Sequence, residues 1–286
     1  MQTSNPKLLI AGFGELGQKV AKLAMQQGLQ VTGLRRNMPA AEAVPIIRCD
    51  VSEPATLTPL AGLAPDILLY CVAADSPTDA SYKAQYVDGL KNVLYALKGN
   101  PLKHIFFISS TRVYGQSSDD DLLDEDTPAV PIDFGGERLL EAEQIAETHG
   151  IPATVLRLSG IYGPGRLRML RLAQQPPEEW PDNSWTNRIH IDDAAGFIVQ
   201  LITRRQDSFP LSPCYLVTDQ LPAPMHEVLN WLAKRMGLPG EANIPRIAGG
   251  KRLDNKLLRQ TGYTLRYPSF REGYAELLQS VETKDY

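Results

Sequence analysis

Three glycines stand in a G-x-G-x-x-G spacing, as Gly12, Gly14 and Gly17 within Ala11-Gly12-Phe13-Gly14-Glu15-Leu16-Gly17. Glycine at the first position permits a tight turn, and at the second lets a phosphate approach the backbone. At the third it lets a helix lie close to a strand. A helix opening at this turn would present N–H groups and partial positive charge to a pyrophosphate. A Walker-type phosphate loop is excluded, because Gln18-Lys19-Val20 follows Gly17 where Lys-Ser/Thr is required. A methyl-donor nucleotide stays open, although such sites ordinarily want an acid after the second strand. The spacing points to a dinucleotide, with Gly12, Phe13, Gly14, Glu15, Leu16 and Gly17 forming its phosphate turn.

The next chemistry-bearing position lies 18 residues beyond Gly17, where an acid would bind the adenosine ribose. Here the sequence is Arg35-Arg36. Arginine at that place can pair with a 2′-phosphate, so NADP is the expected cofactor and NAD the alternative. Two solvated surface arginines are the plainer reading. Asp50 ends the third strand, placed to meet the adenine amino group, and Val51 after it joins the cofactor lining.

These residues need a scaffold. Lys7–Gly12 is apolar on both faces, as a buried parallel strand must be, and a helical pattern through Val20, Leu23, Ala24 and Met25 follows. Further strands are expected at 29–34, 46–50, 66–74, 104–110, 153–159 and 214–219. Helices are expected near 53–63, 82–97, 135–148, 192–204, 226–236, 252–261 and 270–281. Strand alternating with helix this often implies an α/β fold, a doubly wound parallel sheet of Rossmann type. The rhythm breaks after Gly163, in a stretch rich in Pro, Arg and Gln. The expected division is a dinucleotide-binding domain over 1–162, rejoined by 186–220, and a small substrate lobe over 163–185 and 221–286.

Composition narrows the partners. The 286 residues are 43% hydrophobic and 22% charged, with net charge −4, so no basic footprint for nucleic acid exists. Cys49, Cys71 and Cys214 show no C-x-x-C spacing, which argues against a disulfide framework or a zinc site. Cys49 and Cys71 sit in apolar runs as buried thiols. The N-terminus is short and polar, and no apolar run reaches the roughly 18 residues of a membrane span. A cytoplasmic protein acting on a small molecule is expected, away from membranes, with a homodimer allowed but not demanded.

The residues also match a known group. The matching segments, in order, are the glycine turn, Asp50, Ala73-Ala74, Val87-Asp88-Gly89-Leu90-Lys91-Asn92 and Ser109-Ser110-Thr111-Arg112-Val113-Tyr114-Gly115. They continue with Glu125-Asp126-Thr127-Pro128, Arg157-Leu158-Ser159-Gly160-Ile161-Tyr162-Gly163-Pro164-Gly165 and His190-Ile191-Asp192-Asp193. With them the chain resembles the NAD-dependent epimerase/dehydratase group of short-chain dehydrogenases/reductases, in its extended to atypical branch. The resemblance implies that Ser110 holds the substrate's reacting oxygen at the carboxyl end of the fifth strand. It places Ala73 and Ala74 on the cofactor and Thr111 on the substrate.

It also implies a Y-x-x-x-K pair on the helix after Pro128–Pro131, the tyrosine acting as general acid/base and the lysine holding the ribose. The segment reads Pro131-Ile132-Asp133-Phe134-Gly135-Gly136-Glu137-Arg138-Leu139. The tyrosine position is therefore Phe134 or Gly135, and the lysine position Arg138 or Leu139. Neither alignment supplies a group that transfers a proton. Arg138 could still hold the ribose or an anionic substrate. Tyr86 replaces the asparagine opening the group's N-V-x-G-T motif.

Substitute acids near the expected site are Tyr114, Tyr86, Asp75, Asp79 and His190, the last having the titration range for proton transfer. For His190 a backbone-bonded orienting role is the plainer reading. Asp119–Asp121 and Asp124–Asp126 form an acidic loop, either solvated or a lid. Arg166 and Arg168 follow the Y-G-P-G turn, where the group's extended members bind substrate, frequently a nucleotide-linked sugar. Two functions stay open. One is a reductase, epimerase or dehydratase with an altered proton donor; the other is a dinucleotide-binding redox sensor without turnover.

Overall fold

A computed structural model describes residues 5–38, 43–115, 122–206 and 210–282. Elements run in the order β1 (Lys7–Ala11), α1 (Glu15–Gln26), β2 (Gln30–Arg35), β3 (Ile46–Arg48) and β4 (Ile67–Tyr70). Next come α2 (Asp79–Tyr82), α3 (Gly89–Ala96), β5 (His104–Ser110), β6 (Leu122–Leu123), α4 (Phe134–Thr148), β7 (Ala153–Leu158) and β8 (Gly160–Tyr162). The remainder are α5 (Arg168–Ala173), β9 (Trp185–Thr186), β10 (Arg188–His190), α6 (Ile191–Gln206), β11 (Cys214–Val217), β12 (Ala223–Pro224), α7 (Met225–Arg235), β13 (Arg252–Leu253), α8 (Lys256–Gln260) and α9 (Phe270–Glu282).

Seven strands form one parallel sheet in the order β11-β7-β5-β4-β1-β2-β3. The order reverses beside β1, and open α/β sheets bind ligands in the crevice at such a switch. In β1, Leu8, Leu9, Ile10 and Ala11 are all buried, as a central strand covered on both faces requires. Leu9, Leu68 and Ile105 of the sheet pack with Leu90, Val93 and Leu94 of α3 and with Ala142 and Ala146 of α4. Each fully buried large aliphatic there contributes about 1.5–3 kcal/mol.

The chain divides into two compact units, residues 1–114, 129–157 and 195–215 in one and 115–128, 158–194 and 216–286 in the other. The second has its own core, in which Tyr162, Trp180 and Met225 join Leu229 and Leu232 of α7 and Phe270 and Tyr274 of α9. Three short strand pairs, β8 with β10, β9 with β12 and β6 with β13, complete it.

Several expected elements differ in detail. The helix near 53–63 is a 3-10 helix over Pro54–Gly62, with Pro59 inside it. The 82–97 helix begins earlier, at Asp79, and runs through a π-helical stretch at Lys83–Asp88. The expected 252–261 helix is a strand followed by α8, and the aperiodic stretch after Gly163 contains α5. Among the described residues no helix is long and apolar enough to cross a membrane, and no group of side chains is arranged to hold a metal ion.

Candidate functional site

The carboxyl ends of β1, β2, β3 and β4 open on a cleft of about 470 Å³ in the first unit. Residues 12–14, 34–37, 49–51 and 71–75 line it, together with Gln85. Gly12, Phe13, Gly14, Arg35, Arg36, Asp50, Val51, Ala73 and Ala74 all meet there, as the sequence leads one to expect.

The three glycines have three separate reasons. Gly12 has φ +90°, and a Cβ on it would lie 2.5 Å from the Cys71 backbone, so the turn is locked against β4. A Cβ on Gly17 would lie 2.8 Å from the Gly12 carbonyl and 3.2 Å from Ile10 Cγ2, which sets the close approach of α1 to the sheet. Gly14 is different: a Cβ there meets nothing within 4 Å. It caps α1 with extended backbone and no side-chain hydrogen bond to the helix. The space above Gly14 at a helix N-terminus is a cradle that fits a pyrophosphate. Glu15 and Leu16 belong to the first turn of α1, with Leu16 buried in its packing face.

At the end of the cleft beside β2, Arg36 does not stand open. Its Nη1 and Nη2 donate to Asp75 Oδ2 and Oδ1 at 2.6 and 2.5 Å, and its Nη1 lies 4.0 Å from Asp50 Oδ2. The bond to Arg36 holds the Asp75 carboxyl below its usual range. Asp50 Oδ1 accepts from Ser52 N and Oγ at 2.9 and 2.7 Å. Burial pushes the Cys49 and Cys71 thiols up to about 11 and about 12, so neither is a thiolate nucleophile at neutral pH.

Ser110 closes β5 and caps the short 3-10 helix Thr111–Val113, its Oγ accepting from Arg112 N at 3.2 Å. Beneath it lies a buried ionic network. Ser109 Oγ donates to Glu143 Oε1 at 2.5 Å, and Arg157 Nη2 donates to Glu143 Oε2 at 2.6 Å. Arg157 Nη1 donates to the Tyr114 phenol at 2.7 Å. Tyr114, taken as a substitute acid, is therefore a core residue, 2% exposed, that ties β7 to the turn carrying Ser110.

The resemblance puts the group's tyrosine position at Phe134 or Gly135, and Arg112 packs against both residues. Gly135 is filled by Arg112: a Cβ on Gly135 would overlap its guanidinium carbon. Arg112 Nε donates to both oxygens of Asp133, the N-cap of α4, at 2.9 and 3.0 Å. Its Nη1 donates to the Tyr82 phenol oxygen at 2.8 Å. The guanidinium also packs on the rings of Tyr82 and Phe134, 5.2 and 5.4 Å from their centroids. Tyr86 packs on Tyr82 with tilted rings 5.2 Å apart and bonds to the Ala74 backbone, with burial raising its phenol above the usual range. Arg138 donates to Asp79 and Glu141 and lies outside the lining of the cleft, while Leu139 is buried. Tyr82 and Arg112 are the residues that sequence reasoning overlooked. The one available signal was an arginine two places after Ser110.

The remaining candidates belong to the second unit. His190 is buried, its Nδ1 accepts from Asp192 N at 3.2 Å, and its ring lies between those of Tyr162 and Tyr267. This matches the orienting role rather than an exposed acid. Arg166 and Arg168 are exposed beyond the Y-G-P-G turn. In the acidic loop, Asp124 Oδ1 accepts from Asp126 N, Thr127 N and Thr127 Oγ1, and Glu125 Oε1 accepts from Leu216 N, so these carboxylates fix local backbone. Asp119–Asp121 lie outside the described residues.

With this geometry in place, residues 8–210 match the NAD dependent epimerase/dehydratase family. The chain belongs to that family. A solved protein of Methylobacillus flagellatus, ascribed to the NAD-dependent epimerases/dehydratases, is 47% identical with a TM-score of 0.88, covering 98% of this chain and 100% of that one. Protein YeeZ of Escherichia coli (strain K12) is 26% identical over 92% of this chain and 96% of its own length. A 3-diazoavenalumate denitrifying reductase of Streptomyces sp is 24% identical, with 84% of each chain covered. The fold is shared with the UDP-glucose 4-epimerase of Thermus thermophilus, solved with NAD, at TM-score 0.74 and 19% identity over 93% of this chain and 96% of that one.

Proposed function

We propose that this protein is a nicotinamide-dinucleotide-dependent reductase, epimerase or dehydratase acting on a small polar molecule. The family's tyrosine is replaced by a phenol from a different helix, Tyr82. The observation that carries this reading is the 2.8 Å bond between Arg112 Nη1 and the Tyr82 oxygen, beside the position where the family tyrosine is absent. In the family pair a cation supports a phenol; here Arg112 supplies a permanent cation and Tyr82 the phenol. When bound, the dinucleotide supplies hydride at its nicotinamide ring. Gly14 and the start of α1 would hold its pyrophosphate, and residues 49–51 and 73–75 its adenosine side. Ser110 Oγ, which accepts from the Arg112 N–H, would bond the substrate's reacting oxygen. Tyr82 then gives its phenolic proton to that oxygen, and Arg112 stabilises the phenolate left behind. The loss of both Tyr and Lys keeps the sensor function as the competing reading.

The test is a calorimetric titration with NADH and NADPH, followed by single-turnover oxidation of the bound cofactor by a panel of carbonyl compounds. Tyr82→Phe should bind the dinucleotide as the parent does and lose ~10²–10⁴-fold in turnover, the contribution of a positioned acid. Tight binding with no reaction in the parent would replace the enzyme by the sensor. Turnover undisturbed in Tyr82→Phe would remove Tyr82 from the chemistry.

The NADP preference expected from Arg35 and Arg36 draws no support from the cleft, because Arg36 is already engaged by Asp75. NAD is the cofactor this arrangement suits.

A further inference from the structure

We infer that Asp75, delivered by the loop after β4, selects the dinucleotide: by forking Arg36 it lets the cleft accept the ribose of NAD and turn away the 2′-phosphate of NADP. The inference rests on the dinucleotide reading above and concerns its adenosine end only.

The carboxyl end of β2 reads Arg35-Arg36-Asn37, with no acid for a ribose hydroxyl. The fold brings one in from elsewhere. Asp75 meets the Arg36 guanidinium with both oxygens, 39 residues away in sequence. Its placement does not depend on Arg36. The Asp75 and Ser76 N–H groups donate to Ser81 Oγ at 3.0 and 3.2 Å, pinning the loop to α2. Gln85 Nε2, from a side chain only 5% exposed, donates to Asp75 Oδ2 at 3.3 Å. On the other side the Arg36 carbonyl accepts from Arg48 Nε at 3.2 Å. The backbones that carry both partners are thus anchored by other residues.

Charge decides between the two dinucleotides. Arg35 and Arg36 share the cleft with Asp50 and Asp75, so two cations are balanced by two carboxylates. A 2′-phosphate carries about −1.5 to −2 charge. To reach Arg36 it must displace a carboxylate that Gln85 bonds, on a backbone that Ser81 anchors, and then lie beside it. A ribose 2′-hydroxyl carries no charge and can donate to a carboxylate, which has room for about four hydrogen bonds. The Arg36–Asp75 pair is nearly half exposed, at 48% and 46%, so it adds little to stability. Its effect is on which ligand the arginine can take.

The experiment is calorimetry of the full chain with NADH and NADPH, on the parent, Asp75→Asn, and Asp75→Asn with Arg36→Met. The parent should bind NADH more tightly. Asp75→Asn, which keeps the side-chain shape, should raise NADPH affinity by about tenfold as the freed guanidinium takes the phosphate, and should weaken NADH, whose ribose hydroxyl loses its carboxylate acceptor. The added Arg36→Met should cancel that gain. Thermal melting checks folding, and Asp75→Ser serves if the asparagine variant melts early. A parent that prefers NADPH overturns the inference, as does NADPH affinity unmoved by Asp75→Asn or a gain shared equally with NADH. If the parent binds neither dinucleotide, the cofactor reading fails and takes this inference with it.

Discussion

Gly14→Ala and Gly17→Ala should have opposite consequences, although the two glycines stand three residues apart in one motif. The backbone at Gly14 (φ −89°, ψ −161°) is one that alanine adopts, and its added methyl meets no protein atom within 4 Å. The fold should lose at most about 1 kcal/mol, from the poorer cap that alanine makes. The methyl would instead stand where a pyrophosphate must approach. Crowding costs ~1–3 kcal/mol and a lost charged hydrogen bond ~1.5–3 kcal/mol, so binding should weaken by at least ~2.5 kcal/mol, or about 70-fold. At Gly17 the methyl would press on the Gly12 carbonyl at 2.8 Å, and neither turn nor helix can yield without moving the other. Overpacking of ~3 kcal/mol, less ~1 kcal/mol gained in helix propensity, leaves about 2 kcal/mol of destabilisation. In a chain this long that lowers the melting temperature by roughly 4 °C. Thermal melts paired with NADH titration separate the two effects. A Gly14→Ala protein that binds like the parent would put the phosphates elsewhere and refute the cradle.

Two further outcomes follow from buried charge. Glu143→Ala should cost about 3–5 kcal/mol in urea unfolding, because it strands the Arg157 cation and leaves Ser109 without its acceptor; a loss under about 1 kcal/mol would show that the network does not hold the Ser110 turn. Asp219 is 1% exposed, and burial, opposed by Arg188 and the Leu221 N–H, pushes its carboxyl up to about 7. Between pH 4 and 7 the unfolded chain releases this proton while the folded one keeps it, so Asp219 makes stability fall as pH rises. The full displacement of about 3 in pKa is worth roughly 4 kcal/mol as an upper bound. Asp219→Asn should flatten that part of the slope when urea midpoints at pH 4.5 and 7.5 are compared, and parallel slopes would refute it.

Local chemistry that repeats along the chain was readable from sequence. The parallel sheet announced itself in apolar runs such as Lys7–Ala11, and the tight turn between β1 and α1 in three spaced glycines, since each feature is confined to a few adjacent residues. Elements set by tertiary packing were less legible. The π-helical stretch at Lys83–Asp88 carries no distinct periodicity, and the strand Arg252–Leu253 exists only because it pairs with Leu122–Leu123.

The site itself shows the same division at finer grain. Reading position by position, the segment at 131–139 lacks a tyrosine and a lysine, and the inference stops at a missing acid. In three dimensions the neighbourhood of Gly135 is set by Arg112. Gly135 and Arg112 depend on each other: a side chain at 135 would collide with the guanidinium and push it from its seat over Phe134. Asp133 holds Arg112 from one side and Tyr82 accepts from it on the other, so one substitution on α4 is coupled to an arginine after β5 and a phenol on α2. No spacing rule links residues 82, 112 and 135, because three different elements carry them. Arg36 repeats the pattern. Its sequence neighbours suggest an open phosphate site, and a carboxylate 39 residues on gives it a different partner. Charges and nucleophiles in this fold take their meaning from the loops that converge at the strand ends, and those loops are where sequence order says least.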